Sequence, residues 1–184
     1  MPSRRLRAVY RRLLERYGPQ HWWPAESPFE VMVGAVLTQN TAWSNVERAI
    51  ANLRAADALS AERILALGPA ELAARLRPSG YFNVKAARLR HFCSWYLEQG
   101  GRARLARWGT GRLRDALLGV HGIGAETADD ILLYAFARPV FVIDAYTRRL
   151  CARLGLARGD EPYEVLRAAF EQALGPDVPL FNEY

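Results

Sequence analysis

Two glycines late in the chain stand where backbone amides could bind an anion. An amphipathic helical pattern ends at Gly119, Gly122-Ile123-Gly124 follows, and a second helical pattern begins at Ala125. The first amides of a helix have no partner within it and carry the positive end of its dipole, so a phosphate fits there without a charged side chain. A glycine turn that only joins two helices is the structural alternative.

One aspartate, Asp144, is the candidate for acid chemistry. It follows the apolar run 140–143 and precedes another helical pattern, where its structural interpretation is the N-cap of that helix. Capping and catalysis are compatible, because a capping hydrogen bond fixes the position of the carboxylate. Pairs of arginines, at 4–5, 11–12 and 148–149, are more often a solvated face; Arg148, one turn further along this helix, is the best candidate among them for a phosphate contact.

Two earlier stretches combine apolar residues with groups that a core helix does not need. Residues 30–43 read EVMVGAVLTQNTAW, an apolar helix that stops at Gln39-Asn40-Thr41 and is followed by Trp43. Residues 21–24 read HWWP. A polar helix end and ordinary core packing of the tryptophans are the structural alternatives. We interpret both stretches as facing one pocket.

The elements that would position these residues are helical. The 3.6-residue apolar period predicts helices over 3–17, 28–39, 43–56, 60–66, 69–76, 82–98, 111–118, 125–137, 145–154 and 162–174. Residues 139–143, PVFVI, are the one extended candidate and are expected to form a buried linker. The sequence therefore predicts an all-α protein.

Composition limits the classes of protein to consider. A chain of 184 residues can bury a substantial core, and no run approaches the roughly 20 apolar residues of a membrane span. Cys93 and Cys151 are too few for a four-cysteine cluster or zinc site. The formal charge of +6 is compatible with a polyanionic partner. Lys85 is the only lysine among 25 basic residues, which restricts chemistry that needs a side-chain amine.

The chain resembles the helix-hairpin-helix base-excision DNA glycosylases of the endonuclease III superfamily. The matching stretches are FEVMVGAVLTQNT (29–41), GYFNVKAARL (80–89), LLGVHGIGAETAD (117–129) and VIDAYTRR (142–149). The resemblance implies a two-domain all-α fold with the active site in the interdomain cleft. It places one helical domain at 28–138 and a discontinuous second domain at 1–27 plus 139–184, without the family's C-terminal segment. It also implies base flipping and a catalytic role for Asp144.

In the family, the hairpin contacts a DNA phosphate, and the matching residues here are Gly122, Ile123, Gly124, Ala125, Glu126 and Thr127. Hairpin carbonyls of family members often hold a monovalent cation; Leu118, Val120 and Ile123 would supply them. Bifunctional members use a lysine two residues after the last hairpin glycine, where this chain has Glu126. A carboxylate cannot form an imine with the sugar, so the resemblance implies a monofunctional enzyme with little or no lyase activity. No iron–sulfur cluster is expected in residues 1–184.

Within the superfamily, HWWP and the glutamine turn resemble the 3-methyladenine DNA glycosylases. In those enzymes the residues matching Trp22, Trp23, Pro24 and Trp43 sandwich the extruded base. Ala35 stands where adenine-mismatch relatives carry a general-acid glutamate, which favours a base that leaves readily, such as an alkylated purine with a positive ring charge. Indole faces attract such a cation. Gln39 would fill the gap left by the flipped nucleotide, with Asn40 and Thr41 supporting the turn or contacting the DNA backbone.

Three functions remain open at this point. The first is a monofunctional glycosylase for alkylated purines such as 3-methyladenine. The others are a glycosylase of the same fold for another damaged base and a DNA-binding module without catalysis. In each case the expected partner is double-stranded DNA, with a damaged base in the first two. The protein is expected to be a cytoplasmic monomer that associates with the nucleoid when bound to DNA.

Overall fold

The computed structural model describes residues 3–183, and every regular element in them is helical. The α-helices are α1 (Ser3–Tyr17), α2 (Pro28–Leu37), α3 (Trp43–Ala55), α4 (Ala61–Ala66), α5 (Pro69–Leu76), α6 (Phe82–Glu98), α7 (Gly101–Leu105), α8 (Thr110–Leu118), α9 (Ala125–Asp130), α10 (Ala145–Arg153), α11 (Tyr163–Leu174) and α12 (Val178–Glu183). A 3-10 turn spans Arg77–Ser79 and a π-helical turn spans Ile131–Ala135. The all-α prediction is confirmed. Among the described helices, none is long and apolar enough to cross a membrane.

The helix predicted over 125–137 is divided. α9 ends at Asp130, the following turn is π-helical, and the Arg138 amide donates to the Leu132 carbonyl at 2.9 Å. Turns of this wider kind change the direction in which a side chain points and are frequent near functional sites. The apolar period could not reveal the change, because one wide turn leaves the spacing of the apolar residues almost unaltered.

Two short helices were not predicted. α7 begins directly after Gly100, and both Gly100 and Gly101 have positive φ angles (82° and 70°), so the glycine pair that predicted an interruption also starts a new helix. α12 contains Pro179 at its second residue, where a proline removes no hydrogen bond of the helix. The extended linker was predicted correctly: Val140, Phe141 and Ile143 are buried and not helical.

Contacts between Cα atoms divide the chain into two compact units. Unit 1 comprises Met1–Pro24 and Leu132–Tyr184, and unit 2 comprises Ala25–Ile131. Both divisions lie slightly earlier in the chain than the predicted domain boundaries at 28 and 138. The π-helical turn contains the second division, and the residues before and after it belong to different cores.

Unit 2 is built around α2, which is buried from Glu30 to Leu37 and contacts α3, α6 and α9. The helix starts with Ser27, whose hydroxyl accepts a hydrogen bond from the Glu30 amide at 3.2 Å. The buried Glu30 carboxylate accepts two hydrogen bonds from Arg54, each 2.9 Å long, which offset the cost of burying its charge. The large side chains of this core include Met32, Leu37, Leu53, Ile64, Leu72, Leu76, Leu89 and Phe92.

The hairpin between α8 and α9 also belongs to unit 2. Gly122 has a φ of +91°, and a Cβ at this position would lie 2.3 Å from Cγ of Arg88, so both the backbone and its neighbour require glycine. Arg114 on α8 and Asp129 on α9 form a bidentate ion pair with hydrogen bonds of 2.7 and 3.1 Å. Since the Asp129 side chain is completely buried, this pair joins the two helices in the interior.

Unit 1 has a separate apolar core beneath the extended linker. Phe141 stacks on Phe170 with ring centroids 4.2 Å apart and meets Phe181 edge-on at 5.2 Å. The buried members of this core are Leu6, Leu133, Phe141, Ile143, Cys151, Leu166, Phe170, Leu174, Leu180 and Phe181. Full burial of such a side chain is worth roughly 1.5–3 kcal/mol. The linker is thereby fixed up to Ile143, the residue before Asp144.

Removing one partner of the buried ion pair should destabilise unit 2. The substitution Arg114→Met removes both hydrogen bonds of the ion pair from the buried Asp129 carboxylate, so we expect the free energy of unfolding to fall by about 3–5 kcal/mol in a denaturant titration. The double variant Arg114→Met/Asp129→Leu removes both charges and should recover most of this loss. A loss below about 1 kcal/mol for the single variant would contradict the structural role of the pair.

Candidate active site

Asp144 is the N-cap of α10, as predicted, and its carboxylate is held through one oxygen only. Oδ1 accepts hydrogen bonds from the Thr147 amide and the Thr147 hydroxyl, both at 2.7 Å. Oδ2 receives no hydrogen bond from the residues that the structure describes, and the side chain is half-buried. The arrangement therefore offers one fixed, negatively charged oxygen to a ligand.

The start of α10 carries a second exposed group. The Tyr146 side chain is 73% exposed, and the Arg149 guanidinium lies over its ring, 4.4 Å from the centroid. Arg148, which stays a predicted phosphate contact, donates through Nη1 to the carbonyls of Gly159 and Glu161 at 3.1 and 2.7 Å. This arginine fixes the loop after α10, and Arg149 is the neighbour that remains exposed.

Two of the predicted pocket tryptophans lie together in unit 1 with a tyrosine that the sequence did not indicate. The rings of Trp22 and Trp23 are 5.3 Å apart, and Trp23 packs at 5.2 Å against Tyr134, which the π-helical turn carries. All three rings are partly exposed. Pro24 is exposed beside them. These rings form a continuous aromatic surface in unit 1.

Trp43 belongs to unit 2, where it is the first residue of α3 and is partly buried. It follows the turn that begins at Gln39. Asn40 in this turn is exposed and has a φ of +53°, a conformation that asparagine tolerates better than most residues. The Thr41 amide donates to the Thr38 carbonyl at 3.2 Å, and its hydroxyl accepts from Asn45 at 3.0 Å. Asn40 and Thr41 thus form an ordered turn at the end of α2.

The Gln39 side chain is bonded to the hairpin. Its Nε2 donates to the Gly122 carbonyl and to the Thr127 hydroxyl, each at 3.0 Å. Its Oε1 accepts a hydrogen bond from Arg88. The structure therefore brings Gln39 together with two predicted phosphate-binding residues. To fill a gap in DNA, as predicted from the sequence, the amide must first leave these partners.

Lys85 bonds to the backbone just before the same turn. Its side chain is 1% exposed, and Nζ donates to the carbonyls of Leu37 at 2.9 Å and Ser79 at 2.6 Å. Burial, with a smaller contribution from the Arg88 guanidinium, lowers the pKa of Lys85 from 10.5 to about 8. The neutral amine still has two N–H groups for its two acceptors. This lysine is occupied in the interior and is not presented to a ligand.

The remaining hairpin residues are arranged as the glycine pattern predicted. Gly124 is the N-cap of α9 in an extended conformation and supplies no side chain to its first amides. Glu126 is exposed in the first turn of α9, whereas Ile123 and Thr127 are buried. Of the carbonyls proposed for a cation, that of Val120 accepts the Ile123 amide at 3.0 Å, which leaves its second lone pair available.

The His, Cys, Asp and Glu side chains of the described residues are dispersed. These residues contain no group of three or more His, Cys, Asp or Glu side chains that could hold a metal ion. Both cysteines are buried, and burial raises the pKa of Cys93 to about 12 and raises that of Cys151. A pocket of about 510 Å³ opens beside α5 and α6, but its lining contains none of the predicted site residues.

Comparison with known proteins adds a family and several relatives. The family described as "HhH-GPD superfamily base excision DNA repair protein" matches residues 33–176. A Methanocaldococcus jannaschii protein that carries the name DNA repair glycosylase is 45% identical over 179 residues, which are 96% of this chain and 81% of that protein. Endonuclease III of Thermotoga maritima is 28% identical over 161 residues, 86% of this chain and 70% of that protein.

Two solved structures are similar to this chain in fold. The 3-methyladenine DNA glycosylase of H. pylori, solved with bound 1,N6-ethenoadenine, has a TM-score of 0.85 and 30% sequence identity, covering 99% of this chain and 93% of that one. A non-covalent endonuclease III–DNA complex has a TM-score of 0.81 over 99% of this chain and 84% of that one. At 18% identity, the second likeness concerns the fold alone.

Proposed function

Because the chain belongs to the HhH-GPD superfamily of base excision DNA repair proteins, as its sequence predicted, we propose that it is a monofunctional DNA glycosylase for alkylated purines such as 3-methyladenine. The observation that carries this proposal is the Asp144 carboxylate, which Thr147 holds through Oδ1 and which leaves Oδ2 available. The proposed reaction is hydrolysis of the N-glycosidic bond of a nucleotide that has been flipped out of duplex DNA.

The chemistry required of Asp144 is electrostatic. As the base departs, the sugar gains positive charge, and a fixed carboxylate nearby stabilises that charge and orients the attacking water. A carboxylate that already caps a helix loses no further freedom when it does so. Hydrolysis then gives the free base and an abasic site.

The preference for an alkylated purine rests on two supports. The first is the aromatic surface of Trp22, Trp23 and Tyr134, because a cationic base over an indole gains roughly 0.5–2 kcal/mol beyond the stacking that a neutral base also receives. The second is the 30% identity to a 3-methyladenine DNA glycosylase. Trp43 and Pro24 stay predicted members of the base pocket. An uncharged purine lacks the cation term and is disfavoured without any base-specific hydrogen bond.

The hairpin is proposed to bind the DNA backbone. The first amides of α9 and the positive end of its dipole favour a phosphate oxygen at Gly124. If a monovalent cation is present, the carbonyls of Leu118, Val120 and Ile123 would hold it, since carbonyl oxygens are suitable ligands, and it would add positive charge for the same phosphate. An iron–sulfur cluster does not fit residues 1–184, because they include two cysteines and a cluster needs four ligands.

The decisive test is the release of a base. Duplex DNA treated with a methylating agent is incubated with the protein, and the released bases are separated by chromatography. We expect free 3-methyladenine, and we expect Asp144→Asn to slow its release at least a hundredfold while binding to DNA is retained, because the neutral amide cannot stabilise the developing charge. Thr110→Ser, a conservative change away from the site, serves as the control.

Two outcomes of this experiment would contradict the proposal in different ways. Release of oxidised pyrimidines from an oxidised duplex, without release of methylated purines, would identify a different substrate class. Tight binding with no release from either duplex would identify a DNA-binding protein without glycosylase activity.

The absence of lyase chemistry is a separate prediction. Incubation with abasic DNA and borohydride traps an imine between a protein amine and the sugar. We expect no trapped complex, because Glu126 is a carboxylate and Lys85 is buried, with its Nζ donating to two backbone carbonyls. The variant Glu126→Lys supplies an amine at the matching position and should give a trapped complex. Trapping by the unmutated protein at a level similar to that of this variant would disprove the monofunctional assignment.

A further inference from the structure

The single lysine of the chain joins two loops that are far apart in sequence. Its Nζ bonds to the carbonyl of Leu37, the last residue of α2, and to the carbonyl of Ser79 in the 3-10 turn before α6. These acceptors are 48 and 6 residues from Lys85. One buried ammonium therefore fixes the distance between the backbone that enters the Gln39 turn and the backbone that leads to Tyr81.

Both loops present exposed groups directly after the carbonyl that Lys85 holds. Beyond Leu37 comes the turn of Gln39 and Asn40, and Asn40 is exposed with a positive φ. Beyond Ser79 comes Tyr81, whose ring is 68% exposed and whose φ is +45°. Non-glycine residues with positive φ persist where the surrounding structure enforces them. Lys85 holds the backbone three residues before Asn40 and two residues before Tyr81.

The interior position of this lysine is costly and therefore calls for a reason. A buried charge is unfavourable unless it is hydrogen-bonded, and a methionine of similar length would fill the same space without a charge. What methionine lacks is a donor for the last carbonyls of a helix, which have no partner within it. The ammonium is also favourable there because it faces the negative end of the α2 dipole.

The same α6 surface controls the side chain as well as the backbone of the turn. Arg88, one turn after Lys85, bonds to Gln39 Oε1 and packs on Gly122 of the hairpin. Arg88 thus fixes the Gln39 side-chain amide, whereas Lys85 fixes the backbone at the start of the turn that carries Gln39. The hydrogen bonds of Lys85 do not involve the Gln39 side chain, so its departure from Arg88 and the hairpin does not break them.

We propose that Lys85 is a positioning residue for base extrusion: it holds the carbonyls of Leu37 and Ser79 so that the Gln39 turn and the Tyr81 loop enter the DNA in a fixed register. The inference rests on the proposed glycosylase function. Lys85 itself touches neither the DNA nor the reacting atoms. It acts through the two loops, so its loss affects the opening of the duplex and not the hydrolysis of a base already extruded.

The test compares Lys85→Met with Leu89→Ala, a matched control. Leu89 is also buried on α6, one turn further, and its truncation leaves a cavity in the same unit without touching either carbonyl. Three quantities are measured at a temperature where both variants are folded. They are the affinity for undamaged duplex, the fluorescence of 2-aminopurine beside a non-cleavable 3-methyladenine analogue, and the single-turnover rate of 3-methyladenine release, which is measured on both duplex and single-stranded substrates.

We expect Lys85→Met to bind undamaged duplex within about twofold of wild type, since the hairpin is intact, but to lose most of the fluorescence rise that reports unstacking. Its release of 3-methyladenine from duplex should fall at least tenfold, whereas release from a single-stranded substrate, in which no duplex has to be opened, should change much less. Leu89→Ala should resemble wild type in all of these measurements. This separation would not arise from a general loss of stability.

Other outcomes overturn the inference or the function beneath it, and they can be told apart. The positioning role alone is overturned if wild type releases 3-methyladenine from duplex and Lys85→Met does so equally fast. It is also overturned if Leu89→Ala loses as much of this rate as Lys85→Met. No release by wild type overturns the proposed function. If Lys85→Met does not fold, Lys85→Arg takes its place; a planar guanidinium cannot occupy the 1% exposed site without displacing one of the loops. The same loss of extrusion is then expected, and wild-type extrusion by Lys85→Arg would contradict the inference.

Discussion

The hydrogen bonds between Thr147 and one oxygen of Asp144 are the contacts on which the catalytic proposal depends. They give the Thr147 amide, in the first turn of α10, a hydrogen-bond acceptor. Because both use Oδ1, they leave the other oxygen of the carboxylate available. The apolar core of unit 1 fixes the chain up to Ile143, so the carboxylate is rigid from both sides. Helix capping and catalysis therefore need the same geometry.

Unit 2 follows a similar logic with backbone groups in place of a carboxylate. The ends of α2 and the start of α9 are helix termini, where carbonyls and amides lack partners within the helix. Lys85 satisfies the carbonyl of Leu37, and the Gln39 amide satisfies the carbonyl of Gly122. The first amides of α9, by contrast, receive no side-chain cap from Gly124 and are the proposed phosphate site. The polar groups of this unit thus divide into those that fix loops and those offered to DNA.

Local features of the sequence predicted the helices, the hairpin and the capping role of Asp144. Each depends on neighbouring residues: an apolar period, a glycine pair, or an aspartate after a buried run. The sequence did not predict contacts between distant residues, such as Gln39 with Gly122, 83 positions away, or Lys85 with Leu37. It also missed Tyr134, because a π-helical turn sets the direction of that ring. The sequence also gave no sign that Arg148, the predicted phosphate contact, would donate hydrogen bonds to the loop after α10.

The most direct measurement of the central claim is the single-turnover rate of 3-methyladenine release by Thr147→Val compared with Thr147→Ser. Valine keeps the shape and the backbone amide but removes the hydroxyl that holds Asp144 Oδ1 at 2.7 Å. The loss of a hydrogen bond to a charged group, about 1.5–3 kcal/mol, predicts a rate lower by roughly 10- to 150-fold for valine, whereas serine should stay near wild type. Equal rates for wild type, Thr147→Val and Thr147→Ser would contradict the claim that the fixed carboxylate performs the reaction.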